Sequence, residues 1–205
     1  GSAASFVREA DNSSSGHGTA VAGAAVGNGA SLTSRKYKGL APDADIVVVK
    51  AGDNSFSESN VKDALTYAQK MSSTTGKPVV VNLSLGSHAN AHDGTSTLDE
   101  AVNTFTSSGN GRIAVVAAGN EGNDNMHVTG TVGASSTGTI TVSVPSYSAS
   151  SGTSNDYFLI ETWWDEYADI TAKVTAPGGL HYTRTVGLEG TRTTTEGAIT
   201  IINKT

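Results

Sequence analysis

Apolar residues in the first 120 positions follow two rhythms. Over 57–71 they recur at Val61, Ala64, Leu65 and Ala68, the spacing of one face of a helix. Ser57-Glu58-Ser59-Asn60 caps that helix and Gly76-Lys77-Pro78 breaks it. A second face, Ala101, Val102 and Phe105, lies in 98–105 behind Ser96-Thr97-Leu98-Asp99, another helix start with a hydroxyl cap and early acids. A third helix is predicted over 19–26, a run of small residues able to pack tightly on a sheet. The other rhythm is unbroken. Residues 44–50, 79–85 and 113–118 are Val/Ile-rich runs, the last entered through Gly109-Asn110-Gly111. Such runs between helices predict an α/β fold, a parallel sheet with helices on both faces. Ligands on these sheets bind beyond the carboxyl ends of the strands. Gly86 and Asn120 stand at two such ends.

The pattern changes near Asn125. Residues 139–144 alternate with period two between Gly138 and Pro145. Further strands are predicted over 157–164, 168–175, 181–186 and 198–202, with Pro177-Gly178-Gly179 closing the third. Regular spacing and turn signals predict a β-sandwich or jelly-roll arrangement. The chain therefore divides into an α/β part, 1–124, and a β-rich part, 125–205. It carries no internal repeat.

Composition narrows the classes. The chain has 205 residues, 37% hydrophobic, with 24 glycines and a net charge of −6. That charge argues against nucleic-acid or anionic-membrane partners. No apolar run approaches the roughly 20 residues that span a bilayer. There is no cysteine, so disulfides are excluded.

The candidate chemistry starts at Ser15-Gly16-His17-Gly18-Thr19-Ala20-Val21-Ala22-Gly23. Glycines on both sides of His17 let the backbone turn and a partner come close. A histidine fixed at a helix start can act as a general base near neutral pH, or simply hold a structural hydrogen bond. Two further segments weigh toward the first. Val79-Val80-Val81-Asn82-Leu83-Ser84-Leu85-Gly86 is a strand running into S-L-G, and Ile113-Ala114-Val115-Val116-Ala117-Ala118-Gly119-Asn120-Glu121-Gly122 is a strand running into A-A-G-N. Gly39-Leu40-Ala41-Pro42-Asp43-Ala44 lies between the first two segments. In this order, the four resemble the subtilisin-like serine proteases (subtilases) over residues 11–125.

That resemblance implies roles. His17 would be the general base, Asn120 the oxyanion donor, and Ser84-Leu85-Gly86 an edge pairing with extended peptide substrate. It also implies an Asp in a D-[ST]-G setting upstream of the histidine and a Ser in G-T-S-x-[AS]-x-P downstream of the asparagine. Asp11, in the polar loop Asp11-Asn12-Ser13-Ser14-Ser15, is not in such a strand setting. Gly94-Thr95-Ser96 precedes Asn120 and reads as a helix cap, while Gly152-Thr153-Ser154 runs into Asn155-Asp156-Tyr157 instead of a small-residue helix. Gly1-Ser2 reads as a cloning remnant and Thr205 falls in β pattern, so the chain is expected to be a piece of a longer subtilase, inactive alone. The 125–205 part then resembles a β-rich insertion seen in some members before the catalytic serine. The alternative is a pseudoprotease, or a protein- or carbohydrate-binding module, that keeps the fold without the chemistry.

Other residues carry less. His88, His92 and Asp93 share a polar loop and read as surface rather than a metal site. His127 and His181 read as ordinary strand residues. Trp163 and Trp164, as strand neighbours, point to opposite faces, one toward a core and one outward. No cofactor is evident: calcium is frequent among subtilases, but no acidic loop here matches a calcium pattern. The family also implies a secreted or cell-envelope location. An incomplete sheet edge predicts self-association.

Overall fold

The computed structural model describes residues 16–53, 55–152, 156–165, 167–195 and 197–203. Asp11, Ser15 and Gly152-Thr153-Ser154 beyond Gly152 lie outside them, as do both chain ends. The chain forms two compact units, Gly1–Asn155 and Asp156–Thr205.

In the first unit, α1 (His17–Val26) opens after Gly16, whose φ of 60° is the left-handed region that glycine tolerates. No residue of α1 is buried. Its last turn is held by backbone instead. The N–H groups of Gly39, Leu40 and Ala41 donate to the carbonyls of Gly27, Ala24 and Ala25 at 2.7, 3.3 and 2.9 Å. Carbonyls at a helix end lack intrahelical partners, and these three bonds satisfy them. Gly39 has to be glycine, because a Cβ there would lie 2.6 Å from the backbone nitrogens of Gly27 and Val26.

Two-residue strands β1 (Gly52–Asp53) and β2 (Ser55–Phe56) pair antiparallel before α2 (Glu58–Thr75). Ser57 caps α2, its hydroxyl accepting from Asn60 N–H at 3.3 Å. The helix runs to Thr75, four residues past the predicted Met71. Thr75 Oγ1 donates to the Met71 carbonyl and Ser72 Oγ to the Lys77 carbonyl, and Gly76 (φ 67°) closes the turn. β3 (Val79–Leu83) and β4 (Arg112–Val116) pair parallel with Val79 opposite Arg112 and Leu83 opposite Val116. Between them α3 (Thr97–Ser107) is capped by Ser96, whose hydroxyl accepts from Asp99 N–H and donates to Asp99 Oδ2.

The core is Val61 and Leu65 from α2, Phe105 from α3 and Leu83 from β3, with Val79, Val81 and Leu85 packed against it. Side chains alternate across a strand, so Val80 and its register partner Ile113 turn away from the core, as does Val115 opposite Asn82. Val80, Ile113 and Val115 are 63%, 54% and 49% exposed. Among the described residues α2 and α3 therefore both cover one face, and the second helical layer expected from the unbroken apolar runs is not seen. The strand expected over 44–50 is likewise not formed. Ile46, Val47, Val48 and Val49 are exposed. A strand needs a neighbour for its N–H and C=O groups, and no ladder reaches this segment among the described residues. Its flanks are tied down: Lys77 Nζ meets Asp45 Oδ2 at 2.5 Å, and Asn60 Nδ2 donates to the Ala51 carbonyl at 2.7 Å. Residues 139–144 also form no strand, and Ile140, Val142 and Val144 are exposed.

The second unit contains two antiparallel hairpins. β5 (Ala172–Thr175) pairs with β6 (His181–Arg184), and β7 (Glu189–Thr194) with β8 (Gly197–Ile202). The first hairpin turns at Gly179 (φ 85°), whose N–H donates to the Ala176 carbonyl. The hairpins meet at Asn203, 1% exposed. Its Nδ2 donates to the carbonyls of Ile170 and Arg184, both at 2.9 Å, its N–H donates to the Leu188 carbonyl, and its own carbonyl accepts from Gly187 N–H. Residues 157–164 form no strand. Trp163 is 58% exposed and Trp164 half-buried. β7 was not anticipated, because Glu189-Gly190-Thr191-Arg192-Thr193-Thr194 lacks the apolar alternation that marks a half-buried strand.

Candidate active site

The parallel pairing of β3 and β4 sends two loops off the same edge of the sheet. With Leu83 opposite Val116, Ser84-Leu85-Gly86 and Ala117-Ala118-Gly119-Asn120 both leave the carboxyl ends of their strands. The Ala117 N–H still donates to the Leu83 carbonyl at 3.1 Å, carrying the ladder one residue further.

His17 reaches this edge from α1. Its Nε2 lies 3.1 Å from the Ser84 carbonyl oxygen, across 67 residues of sequence. A carbonyl only accepts, so in this contact Nε2 takes the donor's side. Asn82 Nδ2 donates to Ser84 Oγ at 2.9 Å, fixing the hydroxyl beside it. Leu85 turns its side chain into the core, leaving its backbone to the edge. Gly86 is exposed, and a Cβ built there meets nothing within 4 Å. The space in front of it is open to an extended chain.

Asn120 is exposed and follows Gly119, whose φ of 93° bends the chain sharply out of β4. Its backbone N–H donates to Glu121 Oε2 at 2.9 Å. Glu121 Oε2 also stands 3.6 Å from His88 Nε2, on the loop after β3. The structure thus joins His17 to Ser84, and the Asn120 loop to the Ser84-Leu85-Gly86 loop through Glu121 and His88. Glu121 lies within the A-A-G-N-E-G segment, where spacing alone gives it no role. The available signal was a carboxylate directly after an asparagine in a glycine turn, where a side chain can fold back onto the backbone.

The polar loop beyond this edge spends its groups internally. Asp93 Oδ1 accepts from the Thr95 hydroxyl at 2.6 Å and the Thr95 N–H at 2.9 Å, which holds its carboxyl below the usual carboxylate range. His92 Nε2 bonds the His88 carbonyl at 3.2 Å. Among the described residues, no three His, Cys, Asp or Glu side chains converge as a metal site.

Comparison with known proteins points the same way. The profile described as the subtilase family, peptidase S8, matches residues 4–201. A subtilisin from Bacillus sp. (strain TA39) is 36% identical over 109 residues, covering 52% of this chain and 24% of that protein. The structure of the Clostridium perfringens CspB protease matches with a TM-score of 0.53 and 38% identity, over 60% of this chain and 26% of that one. This chain spans about a quarter of the length of each. With the profile covering nearly every residue and the parallel sheet carrying the Ser84-Leu85-Gly86 and asparagine segments to one edge, the chain belongs to the subtilase family.

Proposed function

We propose that this chain is the base- and oxyanion-bearing part of a subtilisin-like serine endopeptidase, and that alone it does not cleave peptides. The observation that carries this reading is the contact of His17 Nε2 with the Ser84 carbonyl at the open sheet edge. In the working enzyme His17 takes the proton from a serine hydroxyl and returns it to the leaving amine. Asn120 aims its side-chain amide at the developing oxyanion. The backbone of Ser84-Leu85-Gly86 pairs with the peptide substrate. The acid and the nucleophile come from sequence outside this chain.

With the nucleophile assigned to another segment, the base alone forms no acyl-enzyme, which is why the isolated chain is read as inactive. Residues 1–124 are then the catalytic part. Residues 125–205 are read as a β-rich insertion preceding the nucleophile; the hairpins that support this lie in 172–202, inside the unit that begins at Asp156. Secretion or attachment at the cell envelope goes with this activity. Among the described residues no helix is long and apolar enough to cross a membrane.

Labelling with a fluorophosphonate, which reacts with activated serines, tests the reading. The purified 205-residue chain should stay unlabelled. The longer gene product containing it should label and should hydrolyse casein. Labelling of the isolated chain would overturn the assignment of the nucleophile to another segment. A longer product that neither labels nor cleaves would make the protein a pseudoprotease.

A further inference from the structure

We propose that Glu121 is a positioning residue for Asn120, and that with His88 it latches together the two loops of the candidate site. Gly119 at φ 93° is in the left-handed region that favours glycine and turns the chain just before Asn120 and Glu121. A Cβ at Gly119 would stand in ordinary contact, 3.5 Å from Glu121 Oε2, so the carboxylate lies directly beside the turn, and the φ is what favours glycine. That oxygen accepts the Asn120 N–H at 2.9 Å. A second bond, Asp124 N–H to the Glu121 carbonyl at 3.1 Å, pins the turn from its other side. Asn120 is therefore gripped on its backbone, leaving its side-chain amide to point elsewhere.

The same carboxylate reaches the neighbouring loop at His88 Nε2, 3.6 Å away. Glu121 is half-buried while His88 is exposed. A charge-assisted bond to a backbone N–H is roughly twice as strong as a neutral one. An oxyanion donor contributes only when held before the reaction begins, and an exposed asparagine on a glycine turn has no packing to hold it. Glu121 supplies that restraint. The inference rests on reading Asn120 as the oxyanion donor, but the latch itself is tested without turnover.

The experiment is an NMR titration of the isotopically labelled 205-residue chain from neutral pH into acid. His88 faces the Glu121 carboxylate from the loop after β3, and Asp124 follows on its own turn. The Asn120 amide proton should move as the Glu121 carboxylate is protonated. Glu121→Gln should flatten that response, and Glu121→Ala should speed hydrogen exchange at Asn120 about tenfold, the factor that goes with one lost hydrogen bond. His88→Gln should keep the acid response and remove any component that follows the imidazole. The Val81 and Ala114 amides, in the β3–β4 ladder, report whether each variant stays folded. An Asn120 amide indifferent to pH in the parent chain, or identical in Glu121→Gln, overturns the proposal. Failure of the longer product to cleave peptide would sink the protease reading and leave these signals unchanged, so the two failures are separable.

Discussion

His17 sits on the first residue of a helix that buries none of its side chains. Its position comes from local backbone, a left-handed Gly16 before it and the Ser84 carbonyl in front of it. Asn120 is also placed by backbone, through the Gly119 turn. On the proposed chemistry, Asn120→Ala in the longer protein should lower kcat by about 10²–10³ with little change in KM, the magnitude established for the same kind of donor in a subtilisin. Steady-state kinetics on a peptide amide would check it. An unchanged kcat would remove Asn120 from the oxyanion site.

A second residue-scale prediction concerns Asp45 and Lys77. The Lys77 ammonium, by hydrogen bond and then by charge, holds the Asp45 carboxyl below the usual range, and Asp45 raises Lys77 in return. A lowered acid stabilises the fold above its unfolded value and loses that contribution as pH falls through the lowered one. A raised lysine stabilises below its unfolded value and loses it as pH rises through the raised one. Both side chains are exposed, so the effect is small and screened by salt. Lys77→Met should leave thermal stability near neutral pH almost unchanged and slightly weaken its fall at the acid and alkaline ends. A large loss at neutral pH would show a role beyond the pair.

At the scale of elements, the helices against β3 and β4 carry the packing. Ser96→Ala removes the cap of α3 and should cost about 0.5–2 kcal/mol. Phe105→Ala empties the centre of the core and should cost about 3–5 kcal/mol. Urea unfolding of the two variants should rank them in that order, and equal losses would mean that Phe105 is not where the core is made. These elements were readable in the sequence because each agrees with its neighbours. Ser57 and Ser96 cap, Val61 and Leu65 share a face, and Gly76 stops the helix. Residues 44–50 and 139–144 carried an equally plain strand pattern and form no ladder. Apolar alternation reports that a segment suits a sheet, whereas pairing depends on a neighbour that the segment cannot supply. β7 failed in the opposite sense: Thr and Arg gave no apolar signal, yet the partner strand β8 was there to pair it. The motifs of the candidate site stand out in the sequence for the same reason as the helices. Histidine, S-L-G and A-A-G-N are local motifs at element ends. The Glu121–His88 tie is a contact between loops that no spacing announces.

For the molecule as a whole, the first unit leaves apolar positions of β3 and β4 exposed, with Val80, Ile113 and Val115 in one row and Ile46 to Val49 in another segment. Exposed apolar rows and unpaired strand edges seek partners. The isolated chain is expected to self-associate as concentration rises, and sedimentation velocity over a broad concentration range should show it. A monomer throughout would mean that these rows are covered by other means. Replacing Val80 with Lys, on the exposed face, should weaken association without unfolding the core.

The three backbone bonds from Gly39, Leu40 and Ala41 sit at the opposite end of α1 from the histidine. A ten-residue helix is about 15 Å long, clamped at its foot and carrying the imidazole at its tip. It works as a lever arm with a fixed pivot. A change at the foot is therefore felt at the tip, out of reach of any direct contact. Gly39→Ala, with its Cβ forced against Gly27 and Val26, should cost about 1–3 kcal/mol as overpacking and also swing His17 away from Ser84. The imidazole resonances of His17 would register that swing, and a stable variant with those resonances unmoved would show that the pivot lies elsewhere.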